Sequence, residues 1–159
     1  MIEKIKQQIS ASIAVKESMF HYCIEDIQSA ASLMIDSIRK GGKIFWCGNG
    51  GSAADAQHLA TELMGGMTSH DRKPIPSIAL TTDSSFITAW SNDTGFESIF
   101  SRQIQGLGNA GDVLIGISTS GNSENVLAAV KQAKFKELST IVFTGNSGGK
   151  INGVSDISI

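Results

Sequence analysis

The sequence predicts an α/β fold: a doubly wound, flavodoxin-like sheet of five parallel strands with helices on both faces. From residue 43 onward, short apolar runs alternate with segments of helical periodicity. The run 113–117 is apolar without interruption, which is typical of a strand buried on both faces of a parallel sheet. Two amphipathic helices are predicted before the first strand.

The first four elements are marked by spacing and by glycines. Apolar residues recur at helical intervals through 2–13 and 24–38, and a pair of glycines ends the second helix. The segment 43–47 is a compact apolar strand. A Gly-rich turn follows it, and the next helix is predicted over 52–64.

The remaining elements continue the alternation. The segment 65–73 is polar and is predicted to be an exposed loop. After it the predicted strands are 76–80, 113–117, 140–143 and 156–159, and the predicted helices are 84–90, 96–107 and 126–133.

Composition and charge exclude several partners. The net charge of −2, with no cluster of Lys or Arg, predicts no binding to nucleic acid. The N-terminus is too polar for a signal peptide, and no apolar run approaches the roughly 20 residues that span a membrane. Cys23 and Cys47 lack CxxC spacing and are expected to be buried free thiols. We therefore expect a cytoplasmic protein with no membrane partner.

A Gly-rich loop follows the first strand, at the edge where parallel sheets bind ligands. Residues 48–52 are Gly-Asn-Gly-Gly-Ser and lead directly into a helix. Glycines let backbone amides approach a ligand, and a helix N-terminus attracts an anion. The same residues also fit a tight turn with Ser52 as the helix N-cap. A lone Gly-rich loop does not decide between these interpretations.

A second loop, rich in hydroxyl groups, follows the strand 113–117. Ser118, Thr119, Ser120 and Ser123 lie within six residues and precede a helix. One serine would suffice to cap that helix, whereas four hydroxyl groups beside helix amides suit a phosphate monoester. No lysine follows as in a Walker loop, so hydrolysis of nucleoside triphosphates is not predicted.

Ionisable residues form a stripe on the helix after the Gly-rich loop. Asp55, His58 and Glu62 are spaced i, i+3 and i+7 and therefore share one face. The alternative is a solvated face with a weak His58–Glu62 pair, but the nearby ligand loop favours a functional role. Asn92 and Asp93, taken alone, indicate only a turn.

Three segments together resemble the sugar isomerase (SIS) domain. They read GNGGSAADAQH at 48–58, ND at 92–93 and GISTSGNS at 116–123. Within that family the chain resembles the phosphoheptose isomerases, which convert sedoheptulose 7-phosphate to D-glycero-D-manno-heptose 7-phosphate. The similarity covers the chain, so 1–159 is interpreted as one SIS domain with N-terminal helices in 1–40 and a sheet core in 43–159.

The resemblance implies a role for each residue of these segments. Glu62 would be the general base that moves a proton between C1 and C2 through an enediol(ate). The substrate phosphate would be bound by Ser118, Thr119, Ser120 and Ser123. The rest of the substrate would be contacted by Asn49, Gly50, Gly51, Ser52, Asn92 and Asp93.

The resemblance also implies a zinc ion and an assembly. His58 and Glu62 match two of the family's zinc ligands. The other ligands, a Gln and a His on a C-terminal helix, are expected beyond residue 159. The expected assembly is a homotetramer with active sites at subunit interfaces, and the expected pathway is heptose synthesis for lipopolysaccharide or capsule.

Two other functions stay open at this point. A non-catalytic SIS protein, which binds phosphosugars or the replication initiator, would share both loops but lack the glutamate that Glu62 matches. A dinucleotide-binding dehydrogenase would use Gly48, Gly50 and Ala53 as G-x-G-x-x-A, with Asp83 after the second strand. Asp83 lies farther along than the usual ~20 residues, and such an enzyme has no use for the hydroxyl-rich loop.

Overall fold

One parallel sheet organises the structure, a computed structural model that describes residues 1–159. Its five strands are β1 (Ile44–Gly48), β2 (Ser77–Ala79), β3 (Val113–Ser118), β4 (Ser139–Thr144) and β5 (Ile157–Ser158). Their order is β2-β1-β3-β4-β5, and every adjacent pair is parallel. This is the flavodoxin-like, doubly wound order, so the predicted fold class is confirmed.

Helices fill the connections between the strands. They are α1 (Ile2–Tyr22), α2 (Ile24–Arg39), α3 (Gly51–Gly65), α4 (Ser84–Asp93), α5 (Ile99–Leu107), α6 (Glu124–Phe135) and α7 (Gly149–Asn152). The predicted helix 96–107 is divided into a 3₁₀ turn, Phe96–Ser98, and α5. None of these helices is both long and apolar enough to cross a lipid bilayer.

The two faces of the sheet carry separate hydrophobic cores, because successive strand residues point to opposite sides. On one face Phe45, Leu114 and Val142 pack with residues of α5 and α6. On the other face Trp46, Ile115 and Ile141 pack with residues of α2 and α3. All six residues of β3 are buried, as its unbroken apolar sequence predicts.

Two strands are shorter than predicted. β2 occupies three residues of 76–80, although the Ile44 N–H still donates to Pro76 O and the Leu80 N–H to Trp46 O. β5 occupies two residues of 156–159. Asp156 instead accepts hydrogen bonds from Lys134 Nζ and from both the backbone N–H and the hydroxyl of Thr140. Burial alone would raise the pKa of Asp156, but these bonds outweigh it and hold the pKa below its usual 3.8.

Helix α1 lies outside both cores. None of its 21 residues is buried, although it contacts α2. The predicted apolar stripe of α1 faces solvent in a single chain. Its four residues, Ile2, Ile5, Ile9 and Ile13, are each at least 50% exposed. An apolar stripe of this length on a helix marks a surface for contact with another molecule.

The cysteine expectation is confirmed for one residue only. Cys47 in β1 is buried, whereas Cys23 at the α1–α2 junction is partly exposed. Burial raises the pKa of the Cys47 thiol from 9.0 to about 12, so it stays protonated and unreactive at neutral pH.

Candidate active site

Both candidate ligand loops lie at the switch point of the sheet. The chain passes from β1 to the outer strand β2 and then crosses β1 to form β3, so β1 and β3 are neighbours from which the chain winds in opposite directions. Ligands of doubly wound sheets bind in the crevice outside such strand ends. The Gly-rich loop follows β1 and the hydroxyl loop, 118–123, follows β3.

The Gly-rich loop needs its glycines for two reasons. At Gly48 a Cβ would lie 2.7 Å from Ser52 O, so only glycine lets α3 begin this close to β1. Gly50, the N-cap of α3, has a φ of 55°. Ser52 is the second residue of α3, so the interpretation of Ser52 as the N-cap was wrong. No side chain caps α3. The N–H groups of Ser52 and Ala53 donate to Asn49 O and Gly50 O, whereas the Gly51 N–H has no partner and is available to a ligand.

The hydroxyl loop keeps its side chains free of helix capping. Ser123 is the N-cap of α6 but makes no side-chain capping bond. Its Oγ lies 3.0 Å from Ser118 Oγ. Thr119 and Ser120 are exposed. The loop therefore presents hydroxyl groups and unpaired helix amides to the same space, which suits a phosphate.

A segment that sequence reasoning missed supports this loop from behind. The Gly145 N–H, directly after β4, donates to Thr119 O, and the Ile151 N–H in α7 donates to Gly121 O, each at 3.0 Å. A Cβ on Gly121 would collide with the backbone of Gly148, and φ of Gly121 is +63°. The glycines around residue 148 were the available signal, because they permit such close backbone contact.

Asn125, in the first turn of α6, was also missed. Its side chain is 3% exposed and exchanges two hydrogen bonds of 2.8 Å with the Asn49 side chain. The signal was an amide side chain among the apolar residues of a helix that packs on the sheet.

The ionisable stripe on α3 contains the predicted residues, but its Glu62 end lies far from the Gly-rich loop. His58 Nε2 lies 3.7 Å from Glu62 Oε1, and Glu62 is the less exposed of the two. Ala56 and Ala60 are buried on the other face of the helix. At 1.5 Å per residue, Glu62 lies about 16 Å along the helix from Gly51. Within one chain, Glu62 is therefore remote from the Gly-rich loop.

Arg72 closes the end of α3 that carries Glu62. Its guanidinium donates to Glu62 O at 2.6 Å and to Leu63 O at 2.7 Å. These carbonyls belong to the last turn of α3 and also accept from backbone N–H groups, Glu62 O from Gly66 and Leu63 O from Ile75. Arg72 lies in the segment 66–76, which forms no helix or strand and agrees with the predicted loop.

His58 and Glu62 fit two zinc ligands in donor type and in spacing. No third His, Cys, Asp or Glu joins them anywhere in residues 1–159. A structural or catalytic zinc site needs three or four protein ligands. His58 and Glu62 alone therefore do not form a zinc site.

Asn92 and Asp93 end α4 instead of forming a separate turn, so the turn prediction was wrong at these two positions. Both are exposed, and Asn92 Nδ2 donates to Asp93 Oδ1 at 2.8 Å. No hydrogen bond joins either residue to the two loops or to Glu62.

A cleft of about 140 Å³ beside the Gly-rich loop is lined by Asn49, Gly50 and Thr81, among others.

Asp83 has a different role from the acidic residue of a dinucleotide site. It is the N-cap of α4, and its carboxylate accepts a hydrogen bond of 2.9 Å from the Phe86 N–H. A carboxylate used in this way is a common helix cap. The structure gives no support to the dehydrogenase interpretation.

Comparison with known proteins identifies the family. The SIS domain profile matches residues 8–145. The phosphoheptose isomerase of Aquifex aeolicus is 48% identical over 151 residues, which are 95% of this chain and 78% of that protein. The chain belongs to the phosphoheptose isomerase family of SIS-domain proteins.

Solved structures of phosphoheptose isomerases have the same fold. The protein from Neisseria gonorrhoeae superposes with a TM-score of 0.92 at 45% identity, covering 98% of this chain and 83% of that one. The protein from Francisella tularensis gives 0.95 at 39% identity, covering 99% and 83%. The resemblance drawn from the two loops is therefore confirmed across the chain.

Proposed function

We propose that this chain is an aldose–ketose isomerase that converts sedoheptulose 7-phosphate to D-glycero-D-manno-heptose 7-phosphate. The main support is that a Gly-rich loop and a loop with four hydroxyl groups lie side by side at the switch point of the sheet. The chain belongs to a family named for isomerising a phosphoheptose, and this supports the choice of a heptose phosphate as substrate. The product would enter heptose synthesis for lipopolysaccharide or capsule in the cytoplasm.

The hydroxyl loop would bind the phosphate of the sugar. A phosphate monoester carries about two negative charges and three acceptor oxygens at neutral pH. Ser118, Thr119, Ser120 and Ser123 would donate to these oxygens while the amides of α6 offset the charge. The sugar chain would lie toward the Gly-rich loop, in contact with Asn49, Gly50, Gly51 and Ser52, and with Asn92 and Asp93.

Glu62 would move the proton. Its carboxylate would take a proton from C1 of the ketose, leaving an enediol(ate), and would return a proton to C2. A second proton would pass from the C1 hydroxyl to O2, which completes the aldose. A carboxylate can do both steps because it is unprotonated before the reaction and is regenerated after it.

The remoteness of Glu62 from the Gly-rich loop favours an active site shared between subunits. Glu62 lies about 16 Å along α3 from the loop of its own chain, so a second chain would bring its Glu62 to the bound sugar. The exposed stripe of α1 and an apolar groove of about 300 Å³, lined by Met34, Ile38 and Leu63 among others, offer surfaces for association. We propose a homotetramer.

Zinc is proposed as the metal. His58 and Glu62 would hold it together with ligands that these 159 residues do not supply. Bound zinc would polarise the oxygen atoms of the sugar carbonyl and enediolate. The residues of this chain would still perform the phosphate binding and the proton transfer described above.

Incubation of the full-length protein with sedoheptulose 7-phosphate tests the proposal. We expect aldose 7-phosphate to form and no nicotinamide cofactor to be needed. Parallel incubation with NAD and NADP, followed by fluorescence, measures cofactor binding. Binding of the sugar phosphate without conversion would instead identify a non-catalytic SIS protein.

A further inference from the structure

The two ligand loops are joined by one pair of side chains. Asn49 Nδ2 donates to Asn125 Oδ1, and Asn125 Nδ2 donates to Asn49 Oδ1, each at 2.8 Å. Asn49 belongs to the Gly-rich loop after β1, and Asn125 follows the hydroxyl loop after β3. These are the only side-chain hydrogen bonds between the Gly-rich loop and the segment formed by the hydroxyl loop and the first turn of α6.

The Asn125 end of this pair is fixed by burial. Asn125 is 3% exposed, and its Oδ1 also accepts from the Val126 N–H at 3.0 Å. A buried amide without a partner is strongly disfavoured, so the Asn125 side chain has one stable arrangement here. Asn49 is thereby held to the first turn of α6 across 76 positions of sequence.

The pair also changes what Asn49 can offer a ligand. An asparagine amide has one oxygen and two N–H groups, and the pair uses the oxygen and one N–H of Asn49. One side-chain N–H of Asn49 and the backbone N–H groups of Gly50 and Gly51 remain for a sugar, whereas the Ser52 N–H already donates to Asn49 O. The main effect of the Asn49 side chain is then to set the position of the backbone turn at Gly50 and Gly51.

We propose that Asn125 is a positioning residue for the reaction. Through Asn49 it holds the Gly-rich loop in register with the hydroxyl loop, so that amides of the first and hydroxyls of the second meet one sugar phosphate. The inference rests on the proposed function. It assigns Asn125 no contact with the substrate, and it predicts that sugar binding and phosphate binding separate when the pair is broken.

The test compares Asn125→Ala, Asn49→Ala and the double variant in full-length protein. Sedoheptulose 7-phosphate turnover gives kcat and KM, and inhibition by inorganic phosphate gives Ki. We expect Asn125→Ala to lower kcat/KM about tenfold while the phosphate Ki changes less than about threefold, because phosphate alone needs only the hydroxyl loop. Asn49→Ala should then cost little more in the Asn125→Ala background, since the pair is already lost.

Asn125→Ser is the second variant if alanine prevents folding. Its hydroxyl can still accept from the Val126 N–H but is too short to reach Asn49, so it breaks only the link between the loops. Asn109→Ala, on an exposed loop at the opposite edge of the sheet, is the matched control and should leave both constants unchanged.

Three results would overturn the inference. Unchanged kcat and KM with a lowered Tm would make the pair structural only. An equal loss of sugar phosphate and inorganic phosphate would place Asn125 within the phosphate site itself. A wild-type protein that neither binds nor converts the sugar phosphate would refute the proposed function and this inference together. The wild-type assay alone distinguishes that outcome from the first two, which require an active wild-type protein.

Discussion

The hydroxyl oxygens of Ser118 and Ser123 lie 3.0 Å apart at the two ends of the hydroxyl loop. Ser118 is the last residue of β3 and is buried, and Ser123 is the residue before α6. The pair therefore closes the loop into a ring. Neither oxygen is committed to a backbone group, so both can turn toward an anion placed over the ring.

Replacing Ser123 with alanine should weaken substrate binding. A hydrogen bond to a charged group contributes roughly 1.5–3 kcal/mol, so we expect KM for the sugar phosphate to rise about tenfold or more. Ser139→Ala, at the opposite end of the sheet in β4, is the control and should keep the wild-type KM. Inorganic phosphate should compete with substrate. Normal sugar-phosphate binding by a Ser120→Ala, Ser123→Ala double variant would exclude the loop as the phosphate site.

Glu62→Gln should remove proton transfer while leaving binding intact. Glutamine keeps the size of the side chain but cannot accept the proton, and general base catalysis typically supplies 10²–10⁴-fold. We expect kcat to fall by about 10² or more at a nearly unchanged KM. Incorporation of solvent deuterium at C2 should fall in parallel. Glu25→Gln, in the first turn of α2, should behave as wild type. Turnover near normal in Glu62→Gln would mean that another residue is the base.

Zinc binding should depend on His58. The imidazole is a strong zinc ligand, and loss of one of few ligands sharply lowers affinity. Metal analysis of full-length protein after dialysis should find zinc in wild type and in the control His70→Ala, and none in His58→Ala. The 1–159 chain, with two ligands, should bind zinc weakly in a calorimetric titration. Equal zinc content in wild type and His58→Ala would remove His58 from the site.

Cys47 should make the fold less stable in alkali. Burial raises its pKa from 9.0 to about 12, so above pH 9 the unfolded chain loses a proton that the folded chain keeps. The free energy of unfolding should therefore fall as pH rises through this window, by about 1.4 kcal/mol per pH unit from this group. Urea titrations between about pH 8 and 10.5 should show this slope in wild type and in Cys23→Ala. A slope of the same size in Cys47→Ala would assign it to other groups.

Charge on the stripe of α1 should disrupt association. Ile9 and Ile13 are each more than 50% exposed in one chain, and burying an aspartate in an apolar contact without a partner is costly. We expect Ile9→Asp with Ile13→Asp to lower the mass measured by light scattering, and to lower activity if Glu62 acts on a neighbouring subunit's substrate. Gln7→Glu, which adds charge on another face of α1, should leave the mass unchanged.

The sequence by itself determined the fold class and the positions of the Gly-rich loop and the hydroxyl loop. These rest on local patterns: the apolar run of β3, the period of the helices, and glycines and hydroxyls placed directly after strands. It also determined that His58 and Glu62 share a face of α3, since helical spacing alone decides this. Such features depend on residues a few positions apart, which the chain order shows directly.

Only the tertiary structure decided how these parts combine. The Asn49–Asn125 pair joins residues 76 positions apart, and the support of Gly121 by the β4–α7 segment joins residues that no periodicity relates. The first contact depends on β1 and β3 being neighbours in the sheet, and the second depends on β3 and β4 being neighbours. Both arrangements are fixed by packing across the whole domain. Spacing places a residue on a face of a helix, but the packing of that helix determines what the face meets.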